Sequence, residues 1–463
     1  MCTTNNRLRV ICLVLLCLLA GCGDTTSVPA TTVTASFESG SIGKAVQVAD
    51  AGWDLTVADD NNNPGLPALW RSWWYVRMDH AATDRATTIT LKNSGWFSYY
   101  LPIYSYDQQT WHRFDEKEVT QNQNNELVVS KQFAQSTVWV ARFYPYTFTD
   151  LEAYLQRIAG NRFLEIQVPG YSQNGKPLYL LKLTDSNSPV AAKKRVFIHA
   201  RTHPAETPPS FLLEGLINSL LSGSTDAATL LATTELYIFP MHNVDGVIAG
   251  NYRSTPRSEN LEVMWYLDST NPINLRADVP QEVAIVQQYA KKLMTDGGPP
   301  VEIALNLHAS NSEPDIRTFF FPHFGPVGLG YTASQAALWD KQLRFIDLLA
   351  ARYGADLLEP APANGGAGFA NSPFPETWWW VNFQDQVMAM TIEMTYGRAG
   401  FAPRWVTPDD TRQLGSALLR AIGDYSDGTA AAKTARKATD SFTSRQLLYP
   451  DWYPPNAADE LKY

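Results

Sequence analysis

After Cys22 the chain contains no cysteine. Its four, Cys2, Cys12, Cys17 and Cys22, all fall at the start, so the rest can form no disulfide and offers no thiolate to a metal or a substrate. Stability must come from an ordinary core, and 463 residues with 45% apolar composition can build one or more. No lysine- or arginine-rich cluster is present and the formal net charge is −9, which disfavours nucleic-acid binding, since that needs a basic footprint. No apolar run is long enough for a permanent membrane span, and no internal repeat is found. Histidine is scarce, with 7 in the whole chain, and the few positions it occupies are worth following.

What is present at the start is an export pattern. Residues 1–21 hold Arg7 and Arg9 and no acid, then the apolar run Val10 to Leu19, then Leu19-Ala20-Gly21-Cys22. Charged, apolar and small-residue regions in that order read as a signal peptide. The small residues before Cys22 resemble a bacterial lipobox, which implies cleavage before Cys22, lipidation of its thiol and a lipid-anchored place in the cell envelope. Gly23 follows the cysteine and Asp24 comes one place later, so an outer membrane is expected over an inner one if the host has both. Removing the +2 of Arg7 and Arg9 from −9 leaves about −11 for the part after the cut. Residues 22–35 are polar and proline-containing and read as a tether.

From 36 to 147 the pattern is short and alternating, with strands expected at Trp73 to Met78, Thr87 to Leu91, Glu126 to Ser130 and Thr137 to Phe143, separated by turn residues such as Asn93-Ser94-Gly95. This predicts an all-β sandwich, its aromatics structural rather than a sugar or peptide platform. Thr149-Asp150-Leu151-Glu152 reads as a capping box opening a helix. From 148 to 428 apolar strands alternate with amphipathic helices, which predicts an α/β/α sandwich with a mixed, largely parallel sheet. Residues 429–463 form a tail with no assignment.

The chemistry centres on Arg195 to Pro209, where Val196 to Ile198 reads as a buried strand and Thr207-Pro208 as the N-cap and first residue of a helix. Between them His203 and Glu206, three apart, can turn a nitrogen and an oxygen toward one zinc ion. With 46 acidic residues in the chain such pairs recur by chance, and His112 with Asp115 and His242 with Asp245 repeat the spacing. Downstream, Val301 to His308 is a strand ending in a histidine, a candidate third ligand that leaves zinc's fourth position open. Gln386 to Gly397 carries Glu393 in an apolar run, where a carboxylate is costly unless paired or functional and where burial raises its pKa toward that of a general base. The segment Ile238 to Arg253 presents an arginine that could stabilise an oxyanion. Taken singly, each has a plainer reading: a capped loop, a satisfied histidine, an inward glutamate paired with arginine, a surface ion pair.

As an ordered set, His203-Pro-Ala-Glu206, Asn243-Val-Asp-Gly246 to Gly250-Asn-Tyr-Arg253, His308 and Thr391-Ile-Glu393 resemble the zinc metallocarboxypeptidases. Ser36-Phe-Glu-Ser-Gly40, the tryptophan-rich strand at Trp73 and Phe143-Tyr-Pro-Tyr-Thr147 are similar to the β-sandwich domain of the cytosolic carboxypeptidase-like branch. The resemblance implies one zinc ion held by His203, Glu206 and His308, Glu393 as general base, Arg253 polarising the scissile carbonyl, and a peptide or peptide-like substrate. The chain departs from the family where relatives carry Asn-Leu-Asn-Arg or Asp-Leu-Asn-Arg, whose Asn-Arg pair grips a terminal α-carboxylate. Here Asn260-Leu261-Glu262-Val263 stands there. Glu262 is then expected to face a substrate amine or amide, and Arg257, five residues ahead, is the candidate to restore the clamp. The alternatives are an amidase or peptidase that does not read a free C-terminal carboxylate and, from another class, a non-catalytic envelope binding lipoprotein.

Overall fold

A computed structural model describes residues 29–95, 101–309, 317–354, 357–359, 365–366, 370, 372–397 and 405–430. The expected signal peptide, Cys22 and nearly all of the 429–463 tail lie outside the described residues.

The first part of the chain contributes β1 (Thr32–Thr34), β2 (Lys44–Ala49), β3 (Gly52–Thr56), β4 (Tyr75–Asp79), β5 (Thr87–Lys92), β6 (Ile103–Ser105), β7 (Trp111–Arg113), β8 (Val119–Gln121), β9 (Leu127–Lys131) and β10 (Val138–Ala141). They form two five-stranded sheets, in the orders β1-β4-β10-β6-β7 and β2-β3-β5-β9-β8. The expected tether is shorter than 22–35, because β-branched Thr32-Val33-Thr34 pairs antiparallel with β4. Alternation decides the packing. Val76, Met78, Val138 and Val140 join Trp53, Leu55, Ile89 and Val129 in a core between the sheets, while Trp73, Tyr75, Ala141 and Phe143 point the other way into a second core shared with the rest of the chain. The strand aromatics are therefore structural, and Trp73 donates its Nε1–H to the Ser39 carbonyl.

The remainder runs α1 (Phe148–Ile158), β11 (Leu164–Tyr171), β12 (Pro177–Leu183), β13 (Lys194–Ala200), α2 (Pro208–Leu220), α3 (Thr225–Thr233), β14 (Thr234–Phe239), α4 (Val244–Ala249), α5 (Gln281–Thr295), β15 (Val301–Ala309), β16 (Phe319–Phe321), α6 (Ala333–Tyr353), α7 (Pro375–Phe383), β17 (Met388–Met394) and α8 (Pro408–Ser426). Its seven strands lie in the order β11-β12-β14-β13-β15-β17-β16. The neighbours β14, β13, β15 and β17 are mutually parallel and the outer pairs antiparallel, which is the mixed sheet expected. Helices α2, α6 and α8 pack on one face and α5 and α7 on the other.

Two caps differ from their expected form. The box that opens α1 is Thr147 with Asp150, two residues earlier than Thr149-Glu152. Glu38 of the first part accepts from Phe148 N, Thr149 N and Thr149 Oγ1 at the same helix start, a carboxylate at the positive end of a helix. Thr207 precedes a helix with proline at its start, as expected, but has helical φ/ψ and makes no side-chain cap.

Candidate metal centre

The central strands place side chains in rows. On the α5/α7 face, Phe197, Ala304 and Ala389 form an apolar row. Two residues on, His199, Asn306 and Thr391 lie side by side on β13, β15 and β17. Two further, at the C-terminal ends, His308 and Glu393 are register partners. Parallel sheets collect their ligands at these ends, and His203 and Glu206 come from the loop that follows β13.

That loop is over-determined. Arg201 sits at φ 60, and its buried guanidinium donates to Pro204 O, to Tyr146 O at 3.1 Å and to Ser210 Oγ at 2.8 Å; burial pulls its pKa down to about 10. Asn243 caps α4 through Gly246 N and donates to Thr202 O. Gly246 is required by close approach, since a Cβ there would lie 2.5 Å from both Pro204 Cγ and Ser254 O.

The three expected ligands converge. Ligand atoms of His203, Glu206 and His308 all lie within 4.8 Å of one another and all three residues are buried. Glu206 Oε1 is 2.8 Å from His203 Nδ1, Glu206 Oε2 is 2.9 Å from His308 Nδ1, and the two Nδ1 atoms are 3.1 Å apart. The far nitrogens are both held: His203 Nε2 lies 3.1 Å from Asn260 Oδ1, and His308 Nε2 lies 3.1 Å from Glu262 Oε2. Asn260 Oδ1 also accepts the Glu262 N–H, which fixes it as the oxygen, so the proton between it and His203 belongs to Nε2. Both imidazoles then carry their protons on Nε2 and aim Nδ1 lone pairs at the point Glu206 faces, and two imidazoles with one carboxylate suit zinc with a position left open.

The electrostatics favour the ligand forms of His203 and Glu206. Burial pulls the His203 pKa down to about 4, helped by the Arg253 charge. Burial opposes ionisation of Glu206, but the two histidines outweigh it and hold its carboxyl below the usual range. For His308 burial is outweighed, by Glu262 and then Glu206, and its pKa is raised well above the ordinary value, so a metal ion bound there would take the place of the proton on Nδ1.

The other expected residues are placed as follows. Glu393 stands beside His308 and is half-buried rather than enclosed. Arg253 is half-buried, near enough for its charge to act on His203. Arg257 is exposed on the same loop, and Val263 is half-buried. Glu262 corrects its expected role as a contact for a substrate amine. It is 6% exposed, and its oxygens are taken by His308 Nε2 and by Asn306 Nδ2 at 2.8 Å. The pairs His112/Asp115 and His242/Asp245 do not converge: His112 is exposed, and His242 meets Thr202 while Asp245 accepts from Ser172 and Asn174.

Sequence reading missed Asn260, Glu262's hold on His308, and Glu376. Glu376, in the first turn of α7 and 2% exposed, accepts from Thr391 Oγ1 at 2.6 Å. Burial, then repulsion from Glu262, pushes its pKa up to about 7. A Pro-Glu pair at a helix start gave no signal of this.

Comparison with known proteins agrees with the fold. Residues 151–273 match the zinc carboxypeptidase family and residues 33–143 the cytosolic carboxypeptidase N-terminal domain. Cytosolic carboxypeptidase 2 of Homo sapiens is 34% identical over 254 residues, 49% of this chain and 28% of that protein. Cytosolic carboxypeptidase 6 of Homo sapiens is 29% identical over 300 residues, 60% of this chain and 57% of that protein. The chain thus spans under a third of the first relative's length and just over half of the second's. A metallo-carboxypeptidase from Burkholderia cenocepacia shares the fold with a TM-score of 0.71 at 22% identity, covering 87% of this chain and 100% of that one. A metallo-carboxypeptidase from Pseudomonas aeruginosa, solved with (2-guanidinoethylmercapto)succinic acid, has a TM-score of 0.70 at 23% identity, covering 86% and 100%. In chain order, a segment similar to the cytosolic carboxypeptidase N-terminal domain precedes one similar to the zinc carboxypeptidase family.

Proposed function

We propose that this chain hydrolyses a peptide or amide bond with one zinc ion held by His203, Glu206 and His308. The observation that carries the reading is the convergence of both Nδ1 atoms and the Glu206 carboxylate, with both Nε2 atoms held from behind. Zinc supplies an acidified water and a Lewis acid for the carbonyl. Glu393, beside His308 and half-buried, accepts the proton of the attacking water and returns it to the leaving amine. Arg253 places its guanidinium toward the carbonyl oxygen as charge develops there.

The substrate we infer lacks a free α-carboxylate at the cleaved residue. Val263 offers no bidentate fork to a carboxylate, Arg257 is exposed, and the nearby Glu262 carboxylate disfavours a further anion. A panel of peptides with free and amidated C-termini tests this, with amidated peptides cleaved at least as well as free acids. Rapid trimming of free-acid peptides with amidated ones inert, unaffected by Arg257→Ala, would overturn it.

The cysteine directly after Ala20-Gly21 further leads us to place the enzyme in the cell envelope on a lipid anchor at Cys22, on the outer membrane if the host has two. Fractionation should find the wild-type protein with membranes and Cys22→Ala in the soluble fraction. Membrane retention of the variant would contradict the anchor.

A further inference from the structure

The β-sandwich reaches the candidate site through one carboxylate. Asp60, in the turn Asp60–Asn62, is 4% exposed and accepts from three consecutive backbone amides of the Arg253 loop: Tyr252 N at 2.6 Å, Arg253 N at 2.9 Å and Ser254 N at 2.8 Å. Ser254 Oγ adds a fourth donor at 3.0 Å. Its neighbour Asn61 donates to Thr255 O at 2.9 Å and to Ser258 Oγ at 3.0 Å, and accepts from Asn251 Nδ2 at 2.8 Å. On the other side of the loop, Ser39 Oγ donates to Val247 O at 2.7 Å. Gly250 turns at φ 73 so close to the sandwich that a Cβ would lie 2.3 Å from Gly40 O.

Three amides in a row aimed at one carboxylate form an anion nest. A buried carboxylate is tolerated only where such donors replace its water. The segment so fixed runs from Asn251 to Ser258 and leads straight into Asn260 and Glu262, the groups behind both histidine ligands.

We propose that Asp60 is a positioning residue for the reaction, holding the 252–254 backbone so that Arg253 faces the scissile carbonyl, and that the β-sandwich is a working part of the active site. This rests on the role given to Arg253 above. A displaced loop leaves the guanidinium attached but misaimed, and misplacement of about 1 Å is enough to cost on the order of 100-fold in rate.

The test combines a double-mutant cycle with amide hydrogen exchange on the zinc-loaded enzyme, using whichever panel peptide turns over fastest. Asp60→Ala and the isosteric Asp60→Asn are each made alone and with Arg253→Ala, and melting curves confirm folding. The expected result is a fall in kcat/KM of about 10- to 100-fold for Asp60→Ala, a smaller fall for Asp60→Asn and unchanged zinc affinity. With Arg253 already alanine, Asp60→Ala should cost about twofold or less, and amides 252–254 should lose protection in the Asp60 variants. Unchanged protection overturns Asp60's hold on the loop, whatever the kinetics. Equal costs in both backgrounds, or a loss of zinc affinity, overturn the link to Arg253 in favour of a general structural role. Arg253→Ala without effect on turnover refutes the part given to Arg253, and exchange still decides on Asp60's hold.

Discussion

Three residues form the candidate metal centre and two more hold its histidines from behind. His203 and Glu206 were legible because a strand-to-helix loop brings residues three apart together, and His308 because it ends a buried strand. Their outer partners were not: Asn260 is 57 positions from His203 and Glu262 is 46 from His308, and nothing local marks an Asn or Glu in a short turn as facing a histidine from behind. The structure recasts Glu262 accordingly. Its carboxylate orients His308, so Glu262→Ala should lower zinc affinity about 10- to 100-fold, the usual effect of losing an outer-shell partner. Glu262→Gln, which can still accept from Nε2–H, should lose less. Chelator competition on folded protein measures both, and unchanged affinity in Glu262→Ala would refute the role.

At the scale of elements, the buried strands and long helices of the second part were legible from periodicity, and the parallel core followed from their alternation. The edge strand β11 was not read: its residues are mostly half-buried or exposed, and Pro169 with a register shift between Gln167 and Gly170 breaks the pattern, which edge strands tolerate. The cap of α1 was misplaced because two threonine-acid pairs, Thr147/Asp150 and Thr149/Glu152, compete, and Glu38 from the first part takes the Thr149 donors. The packing of α7 on β17 carries its own prediction. Burial pushes the Glu376 pKa up to about 7 from the ordinary carboxyl range, so between that range and 7 the folded protein binds more protons than the unfolded chain, and stability falls as pH rises through that window. Glu376→Gln should flatten this slope and raise relative stability at pH 8 by on the order of 3 kcal/mol at most. Denaturant titrations between pH 4.5 and 8 check it, and an unchanged slope in the variant would contradict the buried, protonated carboxyl.

Across the whole molecule, the two-part organisation was legible from the switch between short alternating strands and longer α/β alternation. Their integration was not. Tyr75, Phe143 and Tyr146 lie in the same core as α2 and α8, and Asp60 and Glu38 cross between the parts to hold a loop and a helix start. These long-range contacts leave no trace in composition or spacing. They join the two parts through a shared core and shared hydrogen bonds.

The most direct test of the account is the zinc content and turnover of wild-type protein and Glu393→Gln, measured side by side on the same preparations. The account predicts one zinc per chain in both, hydrolysis of at least one panel peptide or amide by the wild type, and loss of at least about 100-fold of that rate in the variant, the scale general-base catalysis supplies. Zinc well below one equivalent, or full activity in Glu393→Gln with its zinc intact, would contradict it.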